Sequence, residues 1–129
     1  MKFELNFLPD VPTVNGRIYE MKDLEEIFSK PDIPVTSFPS KGIEVNMSEI
    51  IGYANLTELS EDKVEFEVRP VKLDMLNAIT SGKLTINAFG DVKRIDVKDE
   101  CGLITETKKV VKDLTLYHLF AAHETKIEE

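Results

Sequence analysis

Val64, Phe66 and Val68 alternate with Glu65, Glu67 and Arg69, and this two-residue period constrains the fold more than any other feature of the sequence. Successive side chains of a strand point to opposite faces, so the run predicts a half-buried β-strand with one apolar and one charged side. Ile50 to Leu59 precedes it as a second strand. Ser60-Glu61-Asp62 supplies the turn, and the two read as a hairpin closed off by Pro70. The same period returns near the start, where Phe3, Leu5 and Phe7 alternate with Lys2, Glu4 and Asn6.

Between these strands the period changes. Leu24, Ile27 and Phe28 share one side of a helix beginning at Met21, with Asp23, Glu25 and Glu26 on the other side and Pro31 beyond its end. A second short helix is predicted from Lys72 to Ser81, burying Leu73, Leu76 and Ile79, with Gly82 closing it in a left-handed conformation. Asn15-Gly16 and Asp99 to Gly102 are turns, and Ile33 to Phe38 is a short strand before a Pro39-Ser40-Lys41-Gly42 loop. Leu84 to Phe89 and Val92 to Val97 are strands separated by a bulge or bend at Gly90. Leu103 to His123 holds two further strand-like stretches. There Leu114, Leu116, His118 and Phe120 fall on one face, and Thr115, Tyr117 and Leu119 on the other. A helix over Val110 to His123 fits the same spacing, but β-branched and aromatic residues favour strand.

The order is that of an α+β protein: a mostly antiparallel β-sheet or small barrel with two short helices, forming a single domain over residues 1–129. An apolar fraction of 42% suffices to build a core without staples. The seven phenylalanines, Phe38 and Phe89 among them, sit at core-like positions rather than forming a base-stacking platform.

The net charge of −8 opposes contact with phosphate backbones, so direct nucleic-acid binding is not expected. The one basic cluster, Lys108, Lys109 and Lys112, reads as a solvated strand face, as do Glu65 and Glu67. No apolar run approaches a signal peptide or a membrane span, which points away from secretion and membrane insertion and toward a cytoplasmic location. Cys101 is the only cysteine: no internal disulfide can form, and a small buried or half-buried thiol in a reducing compartment is the plain reading.

Catalytic chemistry has little to build on. His118 and His123 are the only histidines, the first predicted as a hydrogen-bonded core residue and the second as solvated beside the acidic tail Glu124 to Glu129. Two histidines and one distant cysteine do not make a zinc site, and no glycine-rich phosphate loop or Gly-x-Ser-x-Gly elbow is present. No catalytic, cofactor-binding or metal-binding residue is assigned, and no cofactor is expected.

Asn15-Gly16-Arg17-Ile18-Tyr19 before a helix resembles the Asn-Gly-Arg-x-Tyr-Pro opening of tailed-phage prohead proteases. Ile51-Gly52-Tyr53-Ala54 is similar to that family's early glycine-bearing strand. Leu76 to Gly82, Leu84 to Gly90 and Asp113 to Phe120 follow its order of short helix, nucleophile strand and closing strand. Two departures stand out. Where the family has its catalytic histidine this chain reads Ser37-Phe38-Pro39-Ser40, and where the serine would fall it has Asn87-Ala88. Without nucleophile and base, acyl transfer has neither an attacking atom nor a proton acceptor.

The resemblance therefore implies a degenerate prohead-protease-like fold acting as a non-enzymatic phage capsid-associated structural or assembly protein. Its partner would be the capsid shell or another copy of itself, in the host cytoplasm or the virion. Two rival expectations come from other classes. One is an acidic host-directed inhibitor occupying a basic groove of a nucleic-acid enzyme. The other is a residual serine protease using Ser37, Ser40 or Ser81 with His118.

Overall fold

The computed structural model describes residues 1–39 and 45–122. In chain order its elements are β1 (Lys2–Leu5), β2 (Arg17–Tyr19), α1 (Met21–Ile27), β3 (Ile33–Thr36), a 3-10 turn (Met47–Glu49), β4 (Ile50–Leu59), β5 (Val64–Pro70), α2 (Leu73–Asn77), β6 (Lys83–Lys98) and β7 (Ile104–Ala121). Ser40 to Gly42, His123 and the acidic tail lie outside the described residues.

The expected α+β small barrel is what forms. Strands β7, β3, β4, β5, β1 and β6 pair in that order, and the β6–β7 pairing closes a six-strand ring. Closure removes the exposed edges that an open sheet of these strands would leave. The β4–β5 hairpin pairs Ala54 with Val68 and Leu56 with Phe66, placing Val64, Phe66 and Val68 inside as their alternation requires. β1 lies antiparallel to β5 and parallel to β6, so Phe3 and Leu5 enter the same core.

Each helix seals one end of the barrel. α1 leads from β2 into the start of β3 and buries Leu24 and Ile27, while Phe28 just beyond it meets Phe66 edge-on at 5.0 Å and 88°. α2 leads from the end of β5 to the start of β6, so it lies at the opposite end, where Leu76 is buried. Gly82 has the expected left-handed conformation, at φ +66°, but it turns the chain into β6 and does not close the helix, which ends at Asn77 with Ala78 as its cap. α2 is shorter than expected, and Leu73 is 51% exposed rather than buried. With only five helical residues, one side chain reaches the core and its neighbours stay on the rim.

Other expectations change as well. Gly90 marks a register shift between Phe89 and Asp91, yet the strand runs through it as one 16-residue element. Likewise the two stretches after Leu103 are one 18-residue strand. In β7 the pairs Asn87–His118 and Ala88–Leu116 leave Tyr117 as an extra residue, a β-bulge that reverses the alternation. Leu119 therefore faces the core along with Leu114 and Leu116, from which simple alternation had separated it. Phe38 and Phe89 are exposed, not core, and Cys101 is exposed as well.

Outside the β1–β5 seam, Glu65 is only 13% exposed at its side chain, not fully solvated as its alternation suggested. Lys63 bonds it at 2.6 Å and Lys2 at 3.1 Å, with the Thr57 hydroxyl also donating. The hydrogen bond from Lys63, then that from Lys2, hold its carboxyl down at about 2, from an ordinary value of 4.5. A folded-state value below the unfolded one means the stabilisation is present above about pH 4.5 and disappears as pH falls through about 2. Solvent screening keeps the contribution small. Glu65→Gln should therefore flatten the fall of the thermal midpoint between pH 4.5 and pH 2; an unchanged slope would contradict the pairing.

Candidate functional site

The barrel strands β1, β3, β4 and β5 span four to ten residues, whereas β6 and β7 run for 16 and 18. The surplus cannot be accommodated in the barrel wall. β2 flanks β7 at Lys109 to Val111, and beyond it residues 95–98 and 104–108 pair only with each other. At about 3.4 Å per residue this free part projects roughly 14 Å past β2, before the turn is counted. It leaves the barrel at the α1 end, opposite α2.

The tip is well ordered by its own polar groups. The Asp99 carboxylate accepts from the backbone N–H groups of Cys101 and Leu103, both at 2.9 Å, and the Gly102 N–H donates to the Asp99 carbonyl at 3.0 Å. Along the shaft, the Thr107 hydroxyl donates to Asp96 across the two strands at 2.9 Å, on the face that also carries Arg94 and Lys109. Ile95 and Val97 lie on the reverse face. Ile95 is 46% exposed, and Leu103 and Ile104 at the tip are 67% and 58% exposed.

One of the predicted lysines, Lys108, is exposed on this arm. Lys109 is exposed beside β2, and Lys112 is drawn into an ion pair with Glu20, rather than lying on an open strand face. Over the free part and its turn, residues 95–108, there are two Lys against four Asp or Glu, a charge of −2. Two of the acids lie in the turn, at Asp99 and Glu100, and the two free strands carry Lys98 and Lys108 against Asp96 and Glu106.

The residues considered for chemistry are not drawn into one constellation. His118 is wholly buried, as predicted, with Nε2 3.4 Å from Asn87 Nδ2, the position where the phage-protease resemblance would place a serine. Burial lowers the His118 pKa, against a smaller opposing pull from Glu49. Ser81 donates to the Ala122 carbonyl and accepts from the Lys83 N–H, both at 3.2 Å. Ser37 lines the same 360 Å³ cleft as Ser81, near Met75 and Ile79; His118 does not line it. Among the described residues no group of His, Cys, Asp or Glu could hold a metal, and no helix is long and apolar enough to cross a membrane.

Sequence reasoning missed Ile95, Leu103 and Ile104. The usable signal was length: two near-equal strand-like runs on either side of Asp99 to Gly102, each longer than any other strand. Comparison of the chain with protein-family models, curated proteins and solved structures found no match.

Proposed function

We propose that this chain is a non-enzymatic assembly protein that works by binding protein through the β6–β7 arm. The observation that carries this reading is the arm itself: a two-stranded hairpin beyond the barrel with Ile95, Leu103 and Ile104 in solvent. A two-stranded hairpin is marginal alone in water, and exposed apolar side chains on it gain most when a partner covers them. Its outer edges also carry backbone donors and acceptors that a partner can satisfy.

The setting we propose is that of a phage capsid-associated structural protein, bound to the shell or to further copies of itself. The resemblance to prohead proteases supplies that setting. The absence of a serine at Asn87-Ala88, and the complete burial of His118, support function by binding rather than by acyl transfer. An acidic inhibitor would need its carboxylates in one open stripe. Glu4, Glu20, Asp32, Glu65 and Glu67 are each paired with a cation and are withdrawn from such a stripe.

Mass spectrometry of purified particles tests the proposal. The chain is expected at many copies per particle, and its complete absence from particles would overturn the capsid role.

A further inference from the structure

Most of β6 is bonded along one side only. β7 runs beside it from Leu84 to Lys98, whereas on the other side β1 reaches only Lys83 and Leu84. The chain after β1 then lies by Thr85 to Ala88, where Asn6, Phe7 and Val11 line a groove with them. From Phe89 onward, no described residue hydrogen-bonds the β6 backbone on the side away from β7. In an antiparallel ladder every second residue directs its N–H and C=O away from the paired strand, so this edge is a row of open donors and acceptors. The β7 side of the arm offers less, because β2 covers Lys109 to Val111 and leaves only residues 104–108 beyond it.

The side chains along the open edge are complementary to themselves. The extra residue at the Gly90 register shift lies in β7, so the period of β6 is unbroken and Phe89, Asp91, Lys93 and Ile95 share one face. Phe89 and Ile95 are 63% and 46% exposed. Among the described residues, Asp91, Lys93 and Arg94 enter no ion pair. Two antiparallel copies related by a twofold axis keep their faces in common only if the axis passes at a residue, not between two. With the axis at Val92, Phe89 stands opposite Ile95 and Asp91 opposite Lys93, each pair occurring twice. Arg94 meets Gly90, which has no side chain. Edge lysines deter pairing when they meet like charge, but here Lys93 meets a carboxylate. Other centres fail. An axis at Asp91, Lys93 or Arg94 sets like charges against each other, one at Gly90 sets Phe89 against Asp91, and one at Ile95 leaves Phe89 opposite the turn at Cys101.

We propose, resting on the reading of this chain as an assembly protein, that two copies pair β6 to β6 along residues 89–95 about a twofold axis at Val92. The two barrels then share one continuous sheet. Phe89 of each copy packs on Ile95 of the other, and Asp91 pairs with Lys93. The contact is isologous and closes on itself, so it gives a dimer and no larger species. Leu103 and Ile104, at the tip, lie outside the paired stretch.

Sedimentation velocity over a range of concentrations tests this with charge exchanges at exposed positions, and unchanged circular dichroism establishes that the variants fold. The unaltered protein should pass from monomer to dimer as concentration rises. Asp91→Lys sets lysine against lysine and Lys93→Asp sets aspartate against aspartate, so each alone should weaken the dimer about tenfold. Mixing the two variants should restore it, since every opposed pair is again of unlike charge, and so should both exchanges in one chain. In a Cys101→Ser background, mild oxidation should cross-link two copies carrying Val92→Cys, whereas Lys93→Cys, offset along the strand from its own equivalent, should stay uncoupled. A monomeric unaltered protein, a dimer indifferent to the single exchanges, or a mixture no tighter than its components would overturn the proposal. So would equal cross-linking at positions 92 and 93. If the unaltered chain is monomeric yet binds particles in an arm-dependent manner, the twofold pairing falls while the function proposed above stands.

Discussion

Phe66→Ala is expected to lower the free energy of unfolding by about 3–5 kcal/mol, the usual cost of emptying a buried aromatic site. Phe66 is fully buried in the middle of β5, with Phe3 opposite on β1 and Leu56 opposite on β4. Its ring takes the edge-on contact from Phe28, which anchors α1 over that end of the barrel. The substitution therefore removes transfer energy and a ring–ring contact together. A closed ring of strands has little freedom to collapse into the space left behind, which favours the upper part of the range. Denaturant unfolding reads the effect directly. A loss below about 1 kcal/mol, typical of surface positions, would mean that the side chain does not occupy the core.

Leu76→Ala should cost about 2–5 kcal/mol, acting at the opposite end. α2 has five residues and no side-chain cap, so it has little stability of its own and depends on its tertiary anchor. Leu76 is that anchor: it is wholly buried, and the strand beneath it is shaped to receive it. A methyl group at Gly52 would stand 3.2 Å from Leu76 Cδ1, 2.8 Å from Val68 Cγ1 and 2.9 Å from the Arg69 carbonyl. Only a residue without a side chain lets α2 and β5 approach β4 so closely. Truncating Leu73, three positions earlier and 51% exposed, provides the internal comparison. Leu73→Ala should change stability by less than about 1 kcal/mol. If the two costs were reversed, the helix would be rotated from its described orientation.

Much of the fold is legible because local physics dictates it. The alternation through Val64, Phe66 and Val68 fixes which side of β5 is buried. The spacing of Leu24, Ile27 and Phe28 fixes the face of α1. The features that escape are those that depend on partners distant in sequence. β2 is three residues long and exists only because β7 lies beside it. The extra residue Tyr117 in β7 can be recognised only against β6, and without it Leu119 is assigned to the wrong face. Glu65 gains Lys2 from the neighbouring strand β1, which no period within β5 reveals, whereas Lys63 lies only two residues before it.

The arm escaped for a related reason. Gly90 is a sound signal for a bulge, and a bulge is present, but dividing the strand there hid its total length. Phe89, Ile95, Leu103 and Ile104 have the composition of core residues, and only the closure of the barrel without them leaves them outside. Composition alone says that a residue gains from burial. Here the burial is supplied, on our account, by another molecule.

Gradient sedimentation of lysate from the native source, with the unaltered chain and the Ile95→Glu, Ile104→Glu variant quantified across the fractions, tests that claim most directly. The account predicts that the unaltered chain co-migrates with particles and that the variant shifts to the position of a small free protein. Equal co-migration of both would contradict the arm as the binding element, and migration of the unaltered chain as a free protein would contradict the assembly role itself.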